Sequence, residues 1–193
     1  MNIFTTSYNP PRGFETALCS CFFTDLEFFQ SDFDAVIASR EDLRIWSDSD
    51  WPQDNFTAEV NREELQFHVD DNKTHEAYGY MLYDPSRTRC YGSLYVNSTA
   101  GMADNYDFLQ GTEATLQQFA ARIDYWLSSE IRDMHLQLSK IIYRWIRQEW
   151  GIQAGFTVRE GAPSRIKLYE SLGMQKSLAL RYRETGSKMY LYS

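Results

Sequence analysis

The stretch Phe119-Ala120-Ala121-Arg122-Ile123-Asp124-Tyr125-Trp126-Leu127, running through Ser128-Ser129-Glu130-Ile131-Arg132-Asp133-Met134-His135 to Gly151, decides the architecture. Its first half alternates: Phe119, Ala121, Ile123, Tyr125 and Leu127 against Arg122, Asp124 and Trp126, the two-residue period of a half-buried strand. Its second half changes period. Ile131, Met134, Leu138, Ile141, Ile142, Trp145 and Ile146 recur at three and four residues, which predicts one long helix over 129–150, ended by Gly151.

Downstream, 156–159 reads as a brief strand and 163–172 as a helix, with Pro163 in its first turn and Gly173 past its end. Residues 174–182 and 189–192 close the chain as strands joined by Glu184-Thr185-Gly186-Ser187. Upstream, 78–83 and 90–96 form a hairpin around Asp84-Pro85-Ser86-Arg87, and 98–112, rich in small polar residues, is expected to be a mobile loop. Before the hairpin lie three helices. The first, 25–38, is opened by a Thr24/Glu27 capping box; a short one covers 41–46; a polar one covers 57–72, with Val60 and Phe67 on one side. A first strand occupies 18–23, after an arm over 1–13. The order predicts one α/β (α+β) domain over 1–193, a mixed sheet with helices on its faces.

Composition fits that domain: 193 residues, 43% hydrophobic and 16% aromatic. Nineteen Lys and Arg against 27 Asp and Glu give a formal charge of -8, which argues against nucleic acid as a partner and mildly favours a cationic one. No run approaches the ~20 apolar residues that span a bilayer, and Met1–Thr6, without a basic run and a long apolar core, is not expected to be a signal peptide. Cys19, Cys21 and Cys90 suit free thiols in a reducing cytosol, so a cytoplasmic location without membrane association is expected. His68 and His75 flank Asp71 on the polar helix, without a third ligand placed by the sequence; a solvated face is expected, not a metal site. Walker loops, nucleophile elbows and zinc spacings are absent from the sequence.

Two segments carry a family resemblance. Residues 121–127 resemble the strand before the cofactor loop of the Gcn5-related N-acetyltransferases, nearest the branch that acetylates ribosomal-protein N-termini. Leu168-Tyr169-Glu170-Ser171-Leu172-Gly173-Met174 resembles that family's late signature. The resemblance implies a mostly antiparallel mixed sheet flanked by helices, and transfer of an acetyl group from acetyl-coenzyme A, as co-substrate, to an amine of a small molecule or protein N-terminus. It implies backbone groups of Trp126, Leu127 and Ser128 along the pantetheine arm, and a pyrophosphate held around Arg132, Asp133, Met134 and His135. Tyr169 matches the tyrosine that often serves as the family's acid, the alternative being a packed aromatic at the sheet edge; Asp124 is a candidate base, the alternative being an exposed strand carboxylate; Trp46, Trp51, Tyr78 and Tyr80 are candidates for the acceptor cleft, the alternative being core packing. Glu76 and Glu170 are weaker candidates. The family's loop is rich in glycine, whereas 129–135 has none, and Ala162 stands where an asparagine is usual. Arg132 would then act as a side-chain clamp. The alternative is a binding or regulatory protein that keeps this fold without coenzyme A. Exposed C-terminal edge strands would allow a homodimer.

Overall fold

The computed structural model describes residues 3–193; Met1 and Asn2, the start of the expected arm, lie outside the described residues. Alternating and fully apolar segments become strands: β1 (Gly13–Glu15) and β2 (Ser20–Phe23) open the chain. A 3-10 turn (Leu26–Phe28) leads into α1 (Phe29–Ala38), α2 (Arg40–Ser47) and α3 (Ala58–Thr74). The hairpin is β3 (Ala77–Tyr83) and β4 (Cys90–Ser98). Next come α4 (Met102–Asn105), β5 (Tyr106–Gln110), α5 (Glu113–Leu116) and β6 (Ala121–Leu127). A second 3-10 turn (Ser129–Met134) precedes α6 (His135–Glu149). The chain ends with β7 (Ala154–Arg159), α7 (Pro163–Ser171), β8 (Lys176–Tyr182) and β9 (Lys188–Tyr192).

The strands form one sheet in the order β1-β2-β3-β4-β6-β7-β9-β8-β5. Every neighbouring pair is antiparallel except β6 and β7, which run parallel. That pair is in register only from Ala121 to Ile123 against Ala154 to Phe156; beyond, the two strands part. The fold class is as expected, a mixed and mostly antiparallel sheet between helices.

One face carries Tyr80, Leu94, Ile123, Tyr125 and Leu127 under α6 and Tyr169 of α7. The other face carries Met81, Tyr83 and Trp126 under α1, α2 and Leu65 of α3. A third cluster, Met102, Leu116, Phe119, Leu178, Leu180, Met189 and Leu191, fills the far end.

Several expectations are corrected. The cap of the first helical turn is Asp25, whose carboxylate accepts from the Glu27 amide at 3.0 Å; the Thr24 amide is committed to the Gly79 carbonyl of β3. On α3, Val60 and Phe67 face solvent, while Asn61 and Leu65 face inward. Asn61 pays for its burial with bonds to Asp32 (3.0 Å) and the Phe29 carbonyl (3.3 Å). The expected loop at 98–112 contains α4 and β5, and β5 pairs with β8. The C-terminal strands are therefore interior, and the edges of the sheet are β1 and β5, which removes the basis for a homodimer through β8 or β9. The long helix is broken at Ile131 (φ -120°, ψ 33°), which leaves a 3-10 turn ahead of α6.

Gly92 shows how closely β4 and β6 approach. Its φ is 143°, and a Cβ there would strike the Trp126 carbonyl oxygen. Gly92→Ala should lower the unfolding free energy by about 2 kcal/mol or more. A urea midpoint shifted down at unchanged slope is the expected result.

Candidate functional site

The parting of β6 from β7 places the site. Pairing of β6 with β4 continues after pairing with β7 has stopped, down to Leu127 opposite Gly92. The Ser128 amide donates to the Tyr91 carbonyl at 2.8 Å. By the alternation of an antiparallel ladder, Tyr125 and Leu127 therefore turn their backbone groups away from β4, into the gap. On β7 the Thr157 hydroxyl fills part of the missing ladder, donating to the Ile123 carbonyl (3.3 Å) and to the Asp124 carboxylate.

A cavity of about 430 Å³ occupies the gap. Trp126, Leu43 and Trp46 line it from one side of the sheet, and Leu127, Leu168 and Arg165 from the other, so it is a slot through the sheet. The Trp126 Nε1 and Arg165 Nη1 atoms are both buried and make no hydrogen bond of good geometry, with Tyr95 beside the indole and Tyr125 and Tyr169 beside the guanidinium. The Arg165 guanidinium lies 4.3 Å from the Tyr125 ring centroid, a cation–π contact.

A second cavity, about 330 Å³, adjoins it and shares Trp46. Its walls include Trp51, Tyr95, Glu64, His68, Asp124 and Arg159. Glu64 accepts from the Trp51 indole at 2.9 Å. Burial raises the Glu64 pKa, the indole bond opposing. His68 packs 4.7 Å from the Tyr95 ring, and burial lowers its pKa, which favours the neutral imidazole. Asp124 is fully engaged, with Thr157, with Arg122 at 3.6 Å and with Asn97 at 3.5 Å.

The expected phosphate loop is filled by protein atoms. The Ser129 amide donates to Ser39 Oγ (2.9 Å), the Glu130 amide to Ser128 Oγ (3.4 Å) and the Ile131 amide to the Ser128 carbonyl (3.2 Å). His135 Nε2 bonds the same carbonyl at 2.9 Å, and burial lowers the His135 pKa, with the charges of Arg165 and Arg132 adding to the fall. Arg132 is paired with Asp42. No backbone nest for pyrophosphate forms here. Arg132, His135, Trp126 and Leu127 do line the slot, whereas Asp133 and Met134 do not, and Ser128 is buried beneath it.

The sequence-expected residues divide. Trp46 and Trp51 line the second cavity, with Asp124. Tyr78 and Tyr80 do not. They are buried on the opposite face, donating to the carbonyls of Ile3 and Pro11 at 2.7 Å each, because their β3 positions point toward α6. Tyr169 also lies outside both cavities. It is fully buried, its hydroxyl donates to the Thr157 carbonyl at 3.2 Å, and burial raises its pKa. Glu64, Arg159 and Arg165 were missed. Glu64 and His68 are four apart on α3, a spacing that puts them on one face, but a polar pair on a polar helix gives no hydrophobic signal.

No protein-family model matches the sequence, and no curated protein matches it. Solved structures do match in fold. A ribosomal L7/L12 alpha-N-protein acetyltransferase, RimL, in complex with coenzyme A superposes with a TM-score of 0.64 at 13% identity, over 92% of this chain and 93% of that one. Ribosomal-protein-S5-alanine acetyltransferase from Vibrio fischeri gives 0.63 at 15% identity, over 93% and 94%. The microcin C7 self-immunity acetyltransferase MccE, in complex with acetyl-CoA and AMP, gives 0.64 at 11% identity, over 92% of each. The chain has the Gcn5-related N-acetyltransferase fold.

The two half-buried histidines set a pH dependence. A lowered folded pKa means the unfolded chain binds protons that the folded one refuses. Stability from His68 and His135 should be complete above the unfolded value of about 6.5 and fall as pH drops below it toward the folded pKa values. The paired replacement His68→Gln/His135→Gln should flatten the melting temperature between neutral pH and about pH 5; differential scanning fluorimetry across that range measures it.

Proposed function

We propose that this chain is an N-acyltransferase that takes an acetyl group from acetyl-coenzyme A, as co-substrate, and passes it to an amine by direct transfer. The observation that carries the reading is the slot where β6 leaves β7, lined by Trp126 and Leu127 at the end of β6 and by the Arg165 guanidinium of α7. Those groups suit the amides and carbonyls of an acyl-pantetheine arm. The pyrophosphate end finds no backbone nest, so its charge would fall to Arg132 and Arg165, with Arg132 exchanging Asp42 for phosphate. Solved structures of the same fold, RimL and MccE among them, are described as binding coenzyme A or acetyl-CoA.

Acetyl-coenzyme A supplies a thioester carbon that accepts the amine nitrogen as its C–S bond breaks and the thiol departs. The chain's part is to hold the amine and take its proton. Glu64 is the base best suited to this: it faces the second cavity, carries no ion pair, and has a pKa raised toward the working range. Asp124, with both oxygens engaged, fixes Thr157 and the end of β6 in place. Tyr169 supports the same spot from beneath, through the Thr157 carbonyl. The proton from the amine leaves through Glu64 to water, and water returns one to the departing thiolate.

The filled loop favours a second reading, a binding or regulatory protein with this fold and no affinity for coenzyme A. Calorimetric titration with acetyl-CoA separates the two. Under the first, binding saturates at roughly micromolar affinity, about -8 kcal/mol; Arg165→Met weakens it about tenfold, and Glu64→Gln leaves it unchanged while lowering kcat about 100-fold. No binding at millimolar acetyl-CoA would leave only the second reading.

A further inference from the structure

The second cavity has a charge pattern that the overall acidity of the chain hides. Four charged side chains line it: Glu64, Asp124, Arg122 and Arg159. Asp124 and Arg122 face each other at 3.6 Å and satisfy one another. Two charges are left. Glu64 has no cationic partner: it accepts from the neutral Trp51 indole, and its other electrostatic neighbour is the buried Asp32 carboxyl. Arg159 has no ion pair or side-chain hydrogen bond, and its position on β7, two residues from Thr157, turns it to the same face as Asp124. His68, held neutral by burial, adds no charge to the balance.

We propose that this cavity binds a compact amine that also carries a carboxylate, an amino-acid-like zwitterion, with the ammonium at Glu64 and the carboxylate at Arg159. A simple amine would satisfy Glu64 and leave the guanidinium unpaired. A polyamine would bring a second cation against Arg159. A free carboxylic acid would leave Glu64 unanswered. Only a ligand with both charges meets both residues. The aromatic walls of Trp46, Trp51 and Tyr95 suit the ammonium through cation–π attraction and the ligand's apolar body through contact. About 330 Å³ is near the lower limit for small-molecule sites, which suits a single amino acid better than a folded partner. In calling the ligand the acyl acceptor, this inference rests on the acyltransferase reading; in assigning the zwitterion pocket it does not.

The test measures binding without acetyl-CoA. Apo protein is titrated calorimetrically with the common L-α-amino acids and 4-aminobutyrate, and with the matching amines that lack the carboxylate, such as phenethylamine for phenylalanine and butylamine for 4-aminobutyrate. At least one zwitterion should bind, and its decarboxylated partner about tenfold or more weaker. Arg159→Met, at a partly exposed side chain with no ion pair to lose, should abolish that preference and leave the bare amine's affinity unchanged; Glu64→Gln should weaken both. Equal binding of amine and amino acid, or an unchanged preference in Arg159→Met, overturns the proposal, as does binding by no zwitterion at all. Acetyl transfer is then measured separately on the amino acid that binds. Binding without transfer would leave the pocket assignment standing and remove the acyltransferase reading.

Discussion

The ladder between β6 and β7 ends three residues after it begins, and the rest of the site follows from that short parallel pairing. Buried backbone groups need partners. Where β7 departs, the alternation of the ladder turns those of Tyr125 and Leu127 away from β4, toward the opening. Thr157 repairs the first step with its hydroxyl, bonding both the Ile123 carbonyl and the Asp124 carboxylate. Tyr169 then anchors Thr157 from below. The fork is thus braced on two sides, and the slot stays open between rigid strands.

The elements around the fork were legible because their signals are hydrophobic. The alternation at 121–127, the stripe of α6 and the Pro163/Gly173 brackets of α7 each depend on a local pattern that the tertiary structure reinforces. What could not be read depends on long-range partners. Thr24 looks like a cap until β3 claims its amide; 106–110 looks like a loop until β8 offers it a ladder. Tyr78 and Tyr80 alternate correctly as strand residues, but nothing in the alternation says which face belongs to α6 and which to the cleft. Glu64 and Arg159 are ordinary surface residues in sequence and acquire their significance only from having no charge partner where they end up.

The loop at 128–135 shows one function of a glycine-rich turn replaced by another arrangement. Where glycines would leave amides free, Ser39 and Ser128 hydroxyls take them, and Arg132 is tied to α2 through Asp42. This knits the end of β6 to the α1–α2 corner and makes that corner stiff. The neighbouring slot gains a fixed wall and loses an anion nest. Arg132 and Arg165 are the cationic side chains that line the slot, and Arg132 is held by an internal carboxylate, Asp42.

The position of β5 has a consequence for how the molecule behaves in a crowded solution. Without it, β8 would present a seven-residue edge with Leu178, Ala179 and Leu180 at its centre, the type of open strand on which sheets of separate molecules stack and aggregate. A five-residue strand covers it, and the opposite margin is only three residues long. Asp107 on the covering strand pairs with Arg181 and Arg183, so the border of the sheet is charged and bonded to itself. The small polar segment that looked like slack between two elements acts as a selvedge, the woven border that keeps a nine-strand fabric from being extended by its neighbours.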